Sequence, residues 1–475
     1  MAYLQGARSQ VELFPASIED YVGADNVVRV YDAFVDHLDL KALGIEWNEF
    51  EVGAPSYEPR VMLKLLVYGT AYGIRSARKL ERAVNHDVSF MWLMGGLKPD
   101  FKTIAAFRRK HRDALRLVLR QCVRFCVKLG VIEGNTLFVD GTKIRANAGM
   151  KQSWSAERCQ QVLRQADERI EAILKECEKQ DRAEEERSSF VHLQEELREK
   201  EALKEKVKQI VNELHQSGAS VFNTTDPDCR HMQSRQGPHA SYNVQMVVDD
   251  KHGLIVQSDV VNEVNDLHQL SQQVKGATAQ LEKCCDMICA DMGYDHRGEI
   301  QKVEDQGVAT LVPVTPQGKD SDGPCAVKNF RYEAESDRYL CPRGQELKCR
   351  ALKQTGGERV YQVSDGSICR NCVYWGLCTR GNIGRTITRT PWDDIKSRRR
   401  YFYESAEGQA IYKRRQMRAE HPFGHIKRNL GVNAFMLRGL QGVRAEAAIL
   451  FTCFNLVRMI SIFGIQELIQ HLKTT

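Results

Sequence analysis

Apolar residues recur at steps of three and four through Val61, Leu63, Leu65, Leu66 and Tyr68, and again through Leu115, Val118, Leu119, Cys122 and Val123. That is the period of helices with one buried face. Breaks at residues 53–59, Gly73, residues 95–99 and Gly130 cut this stretch into several helices, so residues 1–130 are expected to form a small helical domain. The period then changes. Residues 135–140, Asn-Thr-Leu-Phe-Val-Asp, read as a short buried strand ending in Asp140. Strands at 242–249 and 253–259, joined by Asp250, Lys251 and His252, make a hairpin. A helix over 266–283 leads to a strand over 287–291 that ends in Asp291, then a further helix and a fifth strand at 309–314.

Between the first strand and the hairpin lies a polar interruption, 150–217, in which Leu193, Leu197, Leu203, Val207, Ile210 and Leu214 recur at near-heptad steps. Two helices folded back as a coiled-coil hairpin return the chain to where the sheet resumes; a solvated linker is the alternative. Residues 409–473 read as helical, and the apolar 445–468 is expected to pack on the sheet, since Arg458 interrupts it.

A chain of 475 residues exceeds one core, so several units are expected. No stretch of about 18 or more apolar residues is read in the sequence and the start lacks the apolar core of a secretory signal, so no membrane partner and a cytoplasmic location are expected. The net charge of +6 is unremarkable, but residues 396–428 hold ten Lys and Arg against three acids, a local +7. A polyanion is a natural partner for such a stretch. Arg75, Arg78, Lys79 and Arg82, and Arg108, Arg109, Lys110 and Arg112, suit phosphate contacts or a solvated face.

Most of the fifteen cysteines stand singly or in apolar runs, which does not suggest a disulfide framework. Cys341, Cys369, Cys372 and Cys378 are spaced as two knuckles, a pattern suited to a structural Zn²⁺ on a small β-rich ribbon, with Cys325 and Cys349 as substitutes and unmetallated thiols as the alternative.

An acid that follows an apolar strand is costly unless a cation compensates it. Asp140 and Asp291 are both in that position. Two such carboxylates, with a third acid from a later helix, suit a pair of hard divalent cations that activate a nucleophile against a phosphodiester. Asp249, Asp250, Asp259, Glu263, Asp266 and Asp295 compete for the role, Asp250 and Asp266 being better suited to turns and caps.

The segment 412–427, with Tyr412, Arg415, Glu420 and Lys427, resembles the tyrosine, arginine, glutamate, lysine signature of bacterial insertion-sequence transposases of the DDE superfamily. Val139-Asp140-Gly141-Thr142 and Ala290-Asp291-Met292-Gly293-Tyr294 are similar to that family's first and second acidic motifs, and the basic run 107–110 and residues 423–427 extend the resemblance over most of the chain. The resemblance implies an α/β, ribonuclease-H-like core with a mixed five-stranded sheet flanked by helices. It implies that Asp140, Asp291 and Glu420 bind two Mg²⁺ (or Mn²⁺) ions, and that Tyr412, Arg415 and Lys427 contact DNA. Its substrates would be terminal inverted repeats and target DNA, bound by a homodimer.

Two features depart from the signature. Arg415 precedes Glu420 by four intervening residues, against three in some branches, and Pro422 with Gly424 is expected to interrupt the helix. The expected organisation is a helical DNA-binding domain at 1–130, a catalytic core at 131–149 and 218–318, the coiled-coil insertion at 150–217, the cysteine-rich β insertion at 319–390, and helices completing the core at 391–475. A nuclease that cuts without joining, and a non-catalytic DNA-binding regulator or element remnant, are the competing readings.

Overall fold

A computed structural model describes residues 17–46, 56–181, 187–218, 220–234, 237–314, 323–353, 358–390 and 392–474. The start at 1–15, the Gly53 side of the first helix break and the opening of the cysteine-rich segment at 319–322 lie outside the described residues. The chain divides into two units: Met1–Asp266, Gln272–Cys284 and Met417–Thr475 form the first, and Leu267–Ser271 with Cys285–Gln416 the second.

Among the described residues the first unit begins with the α-helices α1 (Val28–His37), α2 (Pro59–Ala71), α3 (Ala77–His86), α4 (Val88–Leu93), α5 (Phe101–Lys110) and α6 (Arg112–Lys128). The breaks between them are chemically specified. Asp87 accepts from the Ser89 and Phe90 amides to start α4, and Asp100 accepts from the Thr103 amide at 2.7 Å to start α5. Gly130 follows α6 at φ +67°, a conformation that suits a residue without a Cβ.

Strand β1 (Thr136–Arg145) runs five residues beyond Asp140, which is therefore mid-strand and paired with Met246 rather than at a strand end. The reason is that Thr142 and Ile144 continue the alternation and pair with Val244 and Tyr242. After it come β2 (Ser153–Ser155), α7 (Ala156–Asp181), α8 (Arg187–Ser217), β3 (Val221–Asn223), β4 (Arg230–Ser234), β5 (Gly237–Asp249), β6 (Ile255–Val261) and α9 (Leu270–Leu281). Strand β5 pairs antiparallel with β1, β4 and β6. Helices α7 and α8 close on Cys159, Val207, Ile210 and Leu214, with the β2–β3 pair beneath them. Strands β2, β3 and β4 are too short or too polar to have been legible.

In the second unit β7 (Met287–Cys289) and β8 (Ala309–Leu311) are parallel neighbours joined through α10 (Arg297–Glu304). Strand β8 stops at Leu311, short of the expected 314, because Pro313 has no amide to offer a ladder. Strands β9 (Arg331–Glu333), β10 (Arg338–Leu340), β11 (Glu346–Lys353), β12 (Glu358–Val363) and β13 (Thr386–Arg389) form an antiparallel sheet in the order β13-β12-β11-β10-β9. Helix α11 (Gly366–Arg370) interrupts it between β12 and β13. Phe330, Tyr339, Leu347, Tyr361, Val363 and Ile387 form its core, with Cys341, Cys369 and Cys378 packed against them.

Helix α12 (Trp392–Glu404) precedes α13 (Ala406–Arg428), and α14 (Leu440–Phe463) and α15 (Ile465–Thr474) end the chain. Helix α13 is continuous through Pro422, contrary to the expected interruption. An interior proline costs roughly 3 kcal/mol, and burial of Ala419, Phe423 and Ile426 around it offsets that cost. Helix α14 packs on α2, α6 and β6, and α15 on α1, so the N-terminal and C-terminal helices share one core. An 18-residue window of α14 has mean hydropathy 1.6, enough by length and composition to cross a membrane, yet 61% of that window is buried. Its buried Asn455 side chain accepts from the Ile255 amide and donates to the Ile255 carbonyl, both at 2.8 Å, which explains a polar residue in this apolar helix.

Candidate active site and thiol cluster

Within the first unit Asp140 is half-buried on β1, and its carboxylate accepts from the Gly141 amide at 3.0 Å. Alternation along a strand puts Asp140 and Thr142 on one face. Lys427 of α13 donates to Thr142 Oγ1 at 2.5 Å, which fixes its ammonium on that face. Because α13 is unbroken, Glu420 and Lys427, seven residues apart, share one side of it. Glu420 is solvent-exposed.

In the second unit Asp291 follows β7 by two residues and starts a short 3₁₀ turn by accepting from the Gly293 amide at 2.9 Å. Arg415, buried, approaches it at 3.8 Å, while the Asp291 side chain keeps 42% of its exposure. The Arg415 guanidinium also lies 5.8 Å from the Tyr412 ring. Burial pushes the Tyr412 hydroxyl above its ordinary range, so it remains a protonated donor. The signature therefore falls into two contact groups, Lys427 with the Asp140 face of β1, and Tyr412 and Arg415 with Asp291.

The competing acids have other occupations. Asp295 is paired with Arg399 at 3.0 Å in a buried ion pair. Asp259 pairs with Arg444 at 2.8 Å. Asp249 accepts the Gly134 and Lys251 amides at 2.7 and 3.0 Å. Asp266 accepts from Asn243 and Gln245, which lie opposite Lys143 and Gly141 and so on the face of β1 away from Asp140.

Part of the basic content is structural. Arg399 also donates to the Val312 carbonyl at 2.6 Å, and Arg398 pairs with Glu304 at 3.0 Å. Arg75, expected at a phosphate or in solvent, forms a largely buried pair with Glu446 at 2.6 Å and donates to the Ala434 carbonyl. Arg400, Lys413 and Arg428 remain exposed. None of these partners is near in sequence, so no local pattern announced them.

Cys325, Cys341, Cys369, Cys372 and Cys378 line one cavity. Cys349 lies elsewhere, exposed on β11, which leaves Cys325 as the stronger substitute ligand. The Cys341 sulfur accepts from the Arg343 and Gln345 amides, both at 3.3 Å, in a turn closed by Gly344 at φ +75°. The Cys369 sulfur accepts from the Arg385 amide at 3.5 Å. Amide donors aimed at sulfur stabilise negative charge there, as a thiolate metal ligand requires. Without a cation, burial and the neighbouring Cys325 push Cys378 up to about 11. Separately, the ligand atoms of His268, His296 and Glu299 lie within 4.8 Å of one another, a geometry able to hold a metal ion. Glu299, however, already accepts from the Ser271 amide at 3.1 Å and from Lys302 at 2.8 Å, as a cap on α9.

Residues 16–110 match the family described as Transposase domain (DUF772), and residues 340–460 match the Transposase DDE domain. The second match contains Glu420, Cys341, Cys369, Cys372 and Cys378 but neither Asp140 nor Asp291. No curated protein matches the chain. A solved structure, the cryo-EM structure of piggyBac transposase synaptic complex with hairpin DNA, aligns over 94% of this chain and 79% of that one at 9% identity. The TM-score of that alignment is 0.34. The two matches, one in the N-terminal and one in the C-terminal part of the chain, support a transposase of the DDE superfamily.

Proposed function

We propose that this transposase binds the terminal inverted repeats of an insertion sequence, cleaves its ends and joins them to target DNA, using Asp140, Asp291 and Glu420 to hold two Mg²⁺ ions. The observation that carries the reading is the pair of contact groups served by one helix. Helix α13 offers Arg415 to Asp291, and Lys427 to the strand face of Asp140, while carrying Glu420 itself. The donor set fits a hard cation, being carboxylate oxygen throughout, with Asp291 and Glu420 open to solvent. Bound there, the ions would activate the attacking hydroxyl and stabilise the leaving 3′-oxygen. Tyr412 offers a ring and a hydroxyl to a DNA end, Arg415 offers charge beside Asp291, and Lys427 offers a cation to a phosphate.

In this reading the catalytic core is ribonuclease-H-like, and a homodimer in the bacterial cytoplasm pairs the two DNA ends at the nucleoid. A structural Zn²⁺ is held by Cys341, Cys369, Cys372 and Cys378. The supports are the three acidic motifs in family order and the amide bonds to the Cys341 and Cys369 sulfurs.

The test is a Mg²⁺-dependent joining assay on matching inverted repeats with Asp140→Ala, Asp291→Ala and Glu420→Ala. Each variant should bind the ends in a gel shift and lose joining on the order of a thousandfold, several kcal/mol of transition-state stabilisation. Retained joining in any one of them removes that residue from the centre. Cutting without joining by the unaltered chain would make it a nuclease, and binding alone a regulator.

A further inference from the structure

Three elements of the first unit bring His252, Arg418, His421 and Arg458 around one open cavity, which Gly253 and Met417 complete. All four polar lining residues are basic and no carboxylate lines the cavity. Of the acids around the hairpin turn, Glu133 pairs with Lys251 at 2.7 Å, and Asp249 accepts the Gly134 and Lys251 amides. The two arginines reach neutral partners. Arg418 donates to the Lys251 carbonyl at 3.1 Å and Arg458 to the His252 carbonyl at 2.9 Å. The buried Arg458 Nε has no hydrogen-bond partner.

Clustered like charges are costly unless a counter-charge joins them. The histidines report that field. Burial, then Lys251, Arg418 and Arg458, hold His252 below the ordinary histidine range, against the opposing pull of Asp249. Burial, then Arg458 and Arg418, do the same to His421. The neighbouring His425 faces His421 as well. The turn is shaped to admit Arg418: Gly253 has φ +68°, and a Cβ there would come within 3.3 Å of Arg418 Cδ.

We propose that this cavity is a phosphate site that grips a backbone phosphodiester of DNA, apart from the carboxylates that serve strand transfer. The proposal rests on the DNA-binding reading above and adds a contact to it. Two guanidinium forks match the two charged oxygens of a phosphodiester. The lining holds no Phe, Tyr or Trp ring, and its two guanidinium groups favour a backbone phosphate over a base. Met417, 71% exposed, and the exposed His421 leave the rim open for a strand to pass. On α13, Arg418 and His421 lie about 160° and 100° around the helix from Glu420, so the phosphate held here is a different one from that at the acids.

The experiment uses the full chain with Arg418→Gln and the double change Arg418→Gln with Arg458→Gln. Binding of a fluorescent duplex is followed through a NaCl series at constant pH. Loss of one phosphate contact should reduce the slope of log K against log salt by about 0.9, with affinity falling roughly tenfold in the double variant. Arg458 also holds the hairpin turn, so Arg418→Gln alone, at a side chain with no structural partner but one carbonyl, keeps the test sound if the double variant unfolds. A second readout is thermal: inorganic phosphate should raise the melting temperature of the unaltered chain more than chloride at equal ionic strength, and not that of Arg418→Gln. An unchanged salt slope in Arg418→Gln, with the unaltered chain binding DNA, overturns the proposal. Failure of the unaltered chain to bind DNA, with the phosphate shift present and lost in the variant, sinks the DNA reading and leaves an anion site of another use.

Discussion

Asp226 accepts from the Tyr242 hydroxyl at 2.7 Å and from the Gly439 amide at 3.2 Å, while its second oxygen is buried without a partner. Burial outweighs those bonds and raises the carboxyl above its ordinary range. An acid raised in the folded state binds its proton sooner there than in the unfolded chain. Its contribution is therefore fully present below the unfolded value and is lost as pH rises through the raised one. Stability from this group should grow as pH falls from 7 toward 4, and Asp226→Asn should remove that slope. Denaturant midpoints across that range check it. Asp249 is raised by burial in the same sense, so a smaller slope of the same sign should survive. An equal slope in the variant would show that Asp226 is not its source. Such residues are invisible to pattern reading, because Asp226, Tyr242 and Gly439 meet only after the sheet and the last helices have assembled.

At the scale of the element, helix α13 and the thiol-bearing sheet were read with different success. The helix was legible from its signature, but its continuity was not. Local rules end a helix near Pro422, and only the burial of Ala419, Phe423 and Ile426 overrides them. Strand β1 was cut short at Asp140 for a similar reason: a charged residue and a glycine look like an ending until Met246 and Gln245 are known to pair with them. The cysteine spacing anticipated a β-rich carrier, and Cys341, Cys369 and Cys378 do pack on one sheet core, with Cys325 as an added neighbour. If zinc holds these thiols, purified protein should contain about one equivalent. Cys372→Ser should lose most of it, and a chelator should lower the first thermal transition. Full metal loss with no change in melting would show that zinc binds without supporting the sheet.

At the scale of the molecule, α14 lies against α2 and α6, with Cys126 and Met459 in contact and Cys453 reaching the Val67 carbonyl, so the two ends of the sequence stabilise each other. No periodicity within either end encodes that partnership. The coiled-coil hairpin is the contrary case. Its seam of Cys159, Val207, Ile210 and Leu214 is internal, Arg169 pairs with Glu196 and Lys204 with Asp167 across it, and β2 pairs with β3 at its base. An element whose contacts close on themselves is separable. Replacing residues 156–217 by a short glycine linker should therefore leave the melting temperature of the remainder within a few degrees, since little of that core is touched. The hairpin's outer surface is then free for another use, and a second copy on a second DNA end is the one we expect. The deletion should bind a single end with unchanged affinity yet fail to form the paired-end complex, measured by light scattering after gel filtration with DNA. A paired-end complex in the deletion variant would place the dimer contact elsewhere, and a collapsed melting temperature would show that the hairpin is structural after all.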